Sequence, residues 1–126
     1  MNKCQQPRLL LVDDEPANLR VMKQILQQDY HLIFAKSGVE ALRLTIEKKP
    51  DLILLDIMMP DMTGVEVCKQ LKGNTETSSI PVIFVTALSD EADEALGFKV
   101  GAVDYISKPV SAPIMKARIR THLSLV

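Results

Sequence analysis

At 126 residues, with 15 basic and 16 acidic side chains and a formal charge of -1, the chain has the length of one domain and no field that would select nucleic acid or an anionic membrane. A chain of this size buries about two thirds of its unfolded surface, so it supports a core without staples. Two cysteines, Cys4 and Cys68, with no secretory leader ahead of them, make neither a disulfide framework nor a metal cluster, and no apolar run reaches the roughly 20 residues of a membrane helix; a reduced, cytoplasmic setting is expected.

Residues 1–7 are polar and unpatterned and read as a frayed start. Arg8 to Val12 is a compact apolar run that reads as a strand. Asp13-Asp14-Glu15-Pro16 ends it and opens a helix, with acids at the positive pole and proline near the first turn. That helix places Leu19, Met22, Ile25 and Leu26 at core-facing spacing. His31 to Ala35 is a second strand. Ser37 caps a second helix, whose Val39, Leu42 and Ile46 fall on one inward stripe before Pro50 stops it.

Leu52 to Leu55 runs without a polar break and stops at Asp56, the pattern of a strand covered on both faces and ending in a carboxylate. Pro60 cannot join a ladder and biases Met59 away from helix, so the chain leaves in a loop directly after the acid. Thr63-Gly-Val-Glu66 has capping-box spacing and opens a third helix with Val65, Cys68 and Leu71 inward. A polar loop over 73–79 leads to a fourth strand, Ile80 to Val85, with Pro81 near its start and Thr86 at its end.

Ser89, followed by Asp90, Glu91, Asp93 and Glu94, starts a fourth helix, and Gly97 and Gly101 leave its length open. Val103 to Ile106 is a fifth strand and Ser107-Lys108-Pro109 a loop. The last helix runs from about Pro113, with Met115, Ile119 and Leu123 four apart and Lys116, Arg118 and Arg120 on the remaining faces. His31 and His122 stand alone on strand and helix and read as core or surface residues. Five strands alternating with five helices predict an α/β fold, a doubly wound parallel sheet with helices on both sides. Ligands of such sheets bind outside the carboxyl ends of the strands, where strand order reverses.

The polar residues at those ends are Asp13 and Asp14 after the first strand, Asp56 at the third, Thr86 at the fourth and Lys108 beyond the fifth. Singly, each has a plainer role: a helix-start acid, a turn former, a strand end, a solvated charge. Together, three carboxylates within contact range raise one another's pKa unless a cation offsets the repulsion, and a hard divalent ion such as magnesium does so with few protein oxygens. An ion with open positions can hold a phosphoryl oxygen, Lys108 another and the Thr86 hydroxyl a third, which leaves Asp56 free to attack phosphorus.

These residues resemble the receiver domain of two-component response regulators. The motifs are Val12-Asp-Asp-Glu-Pro16, Leu54-Leu-Asp-Ile-Met-Met-Pro60 with Gly64 following, Thr86-Ala87, and Gly101-Ala-Val-Asp-Tyr-Ile-Ser-Lys-Pro109, and the likeness covers residues 8 to 124. The resemblance implies a flavodoxin-like strand order 2-1-3-4-5. It implies Asp56 as phosphoacceptor, Asp13, Asp14, Asp56 and the Met58 carbonyl around magnesium (manganese as a substitute), Lys108 on the phosphoryl group, and Thr86 and Tyr105 as a switch pair. Met58 and Leu88 match variable positions of the family, and both are apolar and unable to orient a hydrolytic water, so a long-lived phosphoryl group is expected.

The implied donor is a histidine kinase or a phosphotransfer protein, docking near the first helix and the strand-end loops. The implied output is a C-terminal domain or a downstream protein, with the 126 residues as the receiver at the front of a longer regulator. The stretches around Tyr105 and after Ala117 resemble receivers joined to cyclic-dinucleotide enzymes or kinase modules, and dimerisation through the fourth helix, fifth strand and fifth helix is common in the family. The alternatives are an aspartate-dependent magnesium phosphohydrolase, which would need a second acid where Met58 stands, a metal-binding module without phosphotransfer, and a nucleotide or flavin module, whose glycine-rich first loop is replaced by Asp13-Asp14-Glu15-Pro16.

Overall fold

In the computed structural model, which describes residues 6–87 and 99–124, Leu52–Leu55 forms strand β3 with all four side chains fully buried. A strand with no wet face belongs inside a sheet, and it lies between β1 (Arg8–Val12) and β4 (Val82–Thr86). β2 (His31–Ala35) pairs outside β1 and β5 (Asp104–Ser107) outside β4, giving five parallel strands in the expected order β2-β1-β3-β4-β5. Strand order reverses between β1 and β3, which sets the crevice beside Asp56.

Side chains alternate along each strand, so the sheet feeds two cores. Leu9, Leu11, Leu52, Leu54, Ile83, Val85 and Ile106 pack with Leu19, Met22 and Leu26 of α1 (Pro16–Leu26) and with Met115 and Ile119 of the C-terminal helix (Ala112–Ser124). Leu10, Val12, Ile53, Leu55, Val82, Phe84 and Tyr105 face the other way, onto α2 (Gly38–Lys48) and α3 (Gly64–Lys72). Each fully buried leucine or isoleucine of β3 contributes about 2 kcal/mol, enough to make the strand a stiff mount for the acid that follows it. The helix expected from Ser89, and Leu88 before it, lie outside the described residues.

On α3 the expected Cys68 and Leu71 are buried and Val65 packs beside them, whereas α2 keeps only Leu42 of its expected stripe against the core. On α2 the buried residues are Gly38, Ala41 and Thr45, whereas Val39 is 62% and Ile46 47% exposed. Small residues let α2 lie close to its neighbours, and Thr45 can be buried because its hydroxyl donates to the Ala41 carbonyl at 2.7 Å within the same helix. On α3 the stripe is Gly64, Val67, Cys68 and Leu71, with Val65 only half-buried at its margin. The caps form as expected: Ser37 Oγ accepts from the Glu40 amide at 3.1 Å and Thr63 Oγ1 from the Glu66 amide at 3.2 Å.

The fourth and fifth strands each sit one or two residues later than expected. Pro81 offers no amide to the ladder but its carbonyl accepts from Ile53, and Val103, outside β5, donates to the Val82 carbonyl. Arg118 and His122 are not left over on the C-terminal helix. Arg118 Nη1 donates to Asp104 Oδ1 and to the Tyr105 carbonyl, each at 2.8 Å, and His122 Nε2 lies 2.9 Å from Asp104 Oδ2. Of the expected frayed start, residues 1–5 lie outside the described residues, while Gln6 donates to the Gln28 carbonyl and Pro7 accepts from the His31 amide.

The inward face of α2 is directly testable by urea denaturation. Val39→Ser and Ile46→Ser should each move stability by less than about 0.5 kcal/mol, as exposed positions do. Ala41→Leu should cost about 1–3 kcal/mol through overpacking; the reverse ranking would show that the larger residues face the core.

Candidate functional site

The last hydrogen bonds of the ladder place the acids. The Asp13 amide donates to the Ala35 carbonyl at 3.1 Å and the Asp56 amide to the Val12 carbonyl at 3.0 Å, so both side chains emerge side by side at the reversal of strand order. The Lys108 amide donates to the Thr86 carbonyl at 2.9 Å, which brings the lysine back over the same edge. Carboxylate oxygens of Asp13, Asp14 and Asp56 all lie within 4.8 Å of one another. Asp13 is 1% and Asp56 6% exposed, and Asp14 is half-buried.

Among the described residues, one ammonium faces these acids. Lys108 Nζ lies 2.6 Å from Asp13 Oδ2 and 3.3 Å from Asp56 Oδ2. Burial pushes the Asp56 carboxyl above its ordinary range; Lys108 works against this, the Asp13 charge adds to it, and the hydrogen bond from Thr86 again favours the ionised form. For Lys108 burial is the largest effect and disfavours the charge, but the hydrogen bond to Asp13 and the two carboxylate charges outweigh it, and the ammonium is held above its usual range. A set of oxygen donors with three negative charges and one nearby amine fits a hard divalent cation.

Asp13, Asp14, Asp56, Thr86 and Lys108 therefore converge. Met58, two residues past Asp56, has its side chain 60% exposed. Tyr105 of β5 does not share the strand-end cluster: it pairs with Phe84 of β4 and is buried in the core shared with α3.

Three further residues shape the site without having been singled out by sequence. Asn18 Nδ2 donates to Asp13 Oδ1 at 3.4 Å and to Glu15 Oε1 at 2.9 Å, and the Glu15 amide also donates to Asp13 Oδ1, so one Asp13 oxygen is committed to the start of α1 and the other to Lys108. The signal was an amide one turn into the helix that follows the acids. Gly64, noted only as part of a motif, lies so close to the Asp56 carbonyl that an added Cβ would overlap it, and the Gly64 amide donates to the Ile57 carbonyl at 2.7 Å. Asp61, in the same loop, accepts from the amides of Gly38 and Val39.

The family model of the response regulator receiver domain matches residues 9–120. A Vibrio cholerae protein named probable cyclic di-GMP phosphodiesterase is 50% identical over 98% of this chain, and response regulator PleD of Caulobacter vibrioides 40% identical over 90%. The chain spans 28% and 25% of the length of these two curated relatives. Among solved structures, the response regulator domain of Thermotoga maritima CheB superimposes with a TM-score of 0.85 at 35% identity, covering 95% of this chain and 98% of that one.

The raised pKa of Asp56 has a stability consequence with a fixed sign. The native state holds this proton over the window between the ordinary aspartate value of about 3.9 and the higher folded value, so stability falls as pH rises through that window. Asp56→Asn should therefore raise the urea midpoint at pH 7, and the gain should shrink towards zero below about pH 3.9. A midpoint at pH 7 equal to or below that of the natural chain would contradict the assignment.

Proposed function

The chain belongs to the response regulator receiver domain family, and from that premise we propose that Asp56 accepts a phosphoryl group from a phosphohistidine of a sensor kinase or phosphotransfer protein. The observation that carries this reading is Asp56 at the end of a fully buried strand, with Lys108 Nζ at 3.3 Å and the carboxylates of Asp13 and Asp14 beside it. An Asp56 carboxylate oxygen attacks phosphorus, the phosphorus–nitrogen bond breaks, and its electron pair returns to the imidazole of the donor. Lys108 neutralises one phosphoryl oxygen and the Thr86 hydroxyl donates to another.

Asp13, Asp14, Asp56 and the Met58 carbonyl would hold magnesium, with manganese as a substitute. Bound there, the ion supplies positive charge to the phosphoryl oxygens that the single ammonium of Lys108 cannot balance alone. Met58 offers no carboxyl to relay a proton, which favours a phosphoacceptor over a phosphohydrolase and a long-lived acyl phosphate over a short-lived one. The only reactions the domain catalyses are its own phosphorylation and dephosphorylation.

In this reading Thr86 and Tyr105 carry the switch. A doubly charged group on Asp56 gives Thr86 a new acceptor and draws the following loop inward, and Tyr105 turns into the space released. Arg118 ties the Tyr105 carbonyl to the C-terminal helix, so a change at β5 reaches that helix directly. The donor docks over α1 and the strand-end loops, where a cleft lined by Asn18, Val21, Met22, Lys108, Pro109 and Val110 opens beside the lysine.

The 126 residues act as one receiver domain of a cytoplasmic regulator, a reading supported by the family match over residues 9–120 and by relatives of which the chain spans 28% and 25%. The output is a cyclic-dinucleotide enzyme, a reading supported by the name of the 50% identical relative. Exposed Val103 and Ile114 favour a homodimer through β5, the C-terminal helix and the helix expected between β4 and β5.

Incubation with acetyl phosphate and magnesium, followed by intact-mass measurement, tests the reading. One phosphoryl group should be gained, and the gain should vanish in Asp56→Asn and without divalent metal. Phosphorylation that persists in Asp56→Asn would assign the acceptor elsewhere.

A further inference from the structure

The start of α2 has its free amides satisfied from two sources. The first amides of a helix have no partner within it. Here Ser37 Oγ accepts from Glu40 and the Ser37 carbonyl from Ala41, both local bonds. The two amides ahead of them are served from far along the chain: Asp61 Oδ1 accepts from Gly38 and Asp61 Oδ2 from Val39, each at 3.0 Å. Both oxygens of one carboxylate, in the loop after Asp56, thus cap a helix 22 and 23 residues earlier. The positive end of the helix dipole favours that negative charge.

The same loop is pressed onto the helix sterically. A Cβ on Gly38 would overlap Met62 Cγ, so Met62 occupies the space that any other residue at 38 would fill. At its far end the loop is held by Gly64 against the carbonyl of Asp56 and by the bond from the Gly64 amide to the Ile57 carbonyl. Between Asp56 and these two anchors lies Met58, whose side chain is exposed, so the anchors at either end constrain the path of its backbone.

We infer that Asp61 is a positioning residue for magnesium: by clamping the 57–63 loop to the first two amides of α2, it sets the place of the Met58 carbonyl and hence the affinity of the acidic site for the ion. This rests on the receiver reading given above. Both Asp61 carboxylate oxygens are engaged by α2 amides, so its effect on the ion runs through the loop. Outer groups that orient a ligand commonly change metal affinity by roughly 10–100-fold when removed. The inference also makes α2, a helix with no residue at the acids, a support of the site.

Calorimetric titration with magnesium alone, with no phosphoryl donor present, separates the possibilities. The natural chain is compared with Asp61→Ala, with Asp61→Asn, which keeps one acceptor oxygen, and with Ser37→Ala, which removes the local cap of the same helix and leaves the loop clamp in place. The magnesium Kd should rise roughly ten-fold in Asp61→Ala, by a smaller factor in Asp61→Asn, and not at all in Ser37→Ala, although both cap deletions lower Tm. Should Asp61→Ala fail to fold, the Asp61→Asn and Ser37→Ala pair decides. Unchanged Kd in both Asp61 variants, or an equal loss in Ser37→Ala, overturns the inference while leaving the receiver reading intact. A natural chain that binds no magnesium overturns the metal reading itself, and this inference with it.

Discussion

Burying β3 on both faces is the constraint from which the rest of the molecule follows. Leu52 and Leu54 point into one core and Ile53 and Leu55 into the other, so helices must cover both sides of the sheet. α1 and the C-terminal helix take one side, α2 and α3 the other. Parallel strands then bring every strand end to one edge, and the reversal between β1 and β3 leaves that edge open beside the residues that follow each of them. Asp13 and Asp56 are those residues.

Placing two buried carboxylates there has a cost in electrostatic free energy, and the structure offsets part of it with one lysine from across the sheet. Lys108 reaches both acids because its own backbone is fixed to Thr86 at the end of β4. Burial is the main reason the Asp56 carboxyl stands above its ordinary range, with the Asp13 charge adding to it and Lys108 opposing it. A site left short of positive charge is suited to take up a cation, and its energy changes when another doubly charged group arrives.

Response also needs contacts that carry a local change outward. On one flank, Asp61 and Met62 join the loop after Asp56 to α2. On the other, Arg118 and His122 bind Asp104, and Arg118 binds the Tyr105 carbonyl, so β5 and the C-terminal helix are tied at the residue next to the buried tyrosine. Burial raises the Asp104 carboxyl, but the bonds from His122 and the Tyr105 amide and the Arg118 charge outweigh it and keep it below its ordinary range. These ties are polar and partly exposed, unlike the apolar contacts beneath the sheet, and they are the contacts that can be exchanged without opening a core.

Much of this was legible in the chain itself. An unbroken apolar run ending in Asp56, two acids after an earlier run, a threonine and a lysine after later ones, and strands alternating with helices determine a parallel sheet and bring those side chains to one edge, because period and punctuation are local properties. Which face of α2 turns inward was not legible: Val39 and Ile46 outrank Ala41 and Thr45 in hydrophobicity, yet close packing against the sheet selects the small residues, and Thr45 hides its hydroxyl inside its own helix. Asp61 on α2, Asn18 on Asp13, and the pairing of Arg118 and His122 with Asp104 were likewise decided by the tertiary structure. Polar side chains choose partners by distance and angle, and no periodicity in the chain encodes which donor will stand 3 Å from which acceptor once the layers have packed.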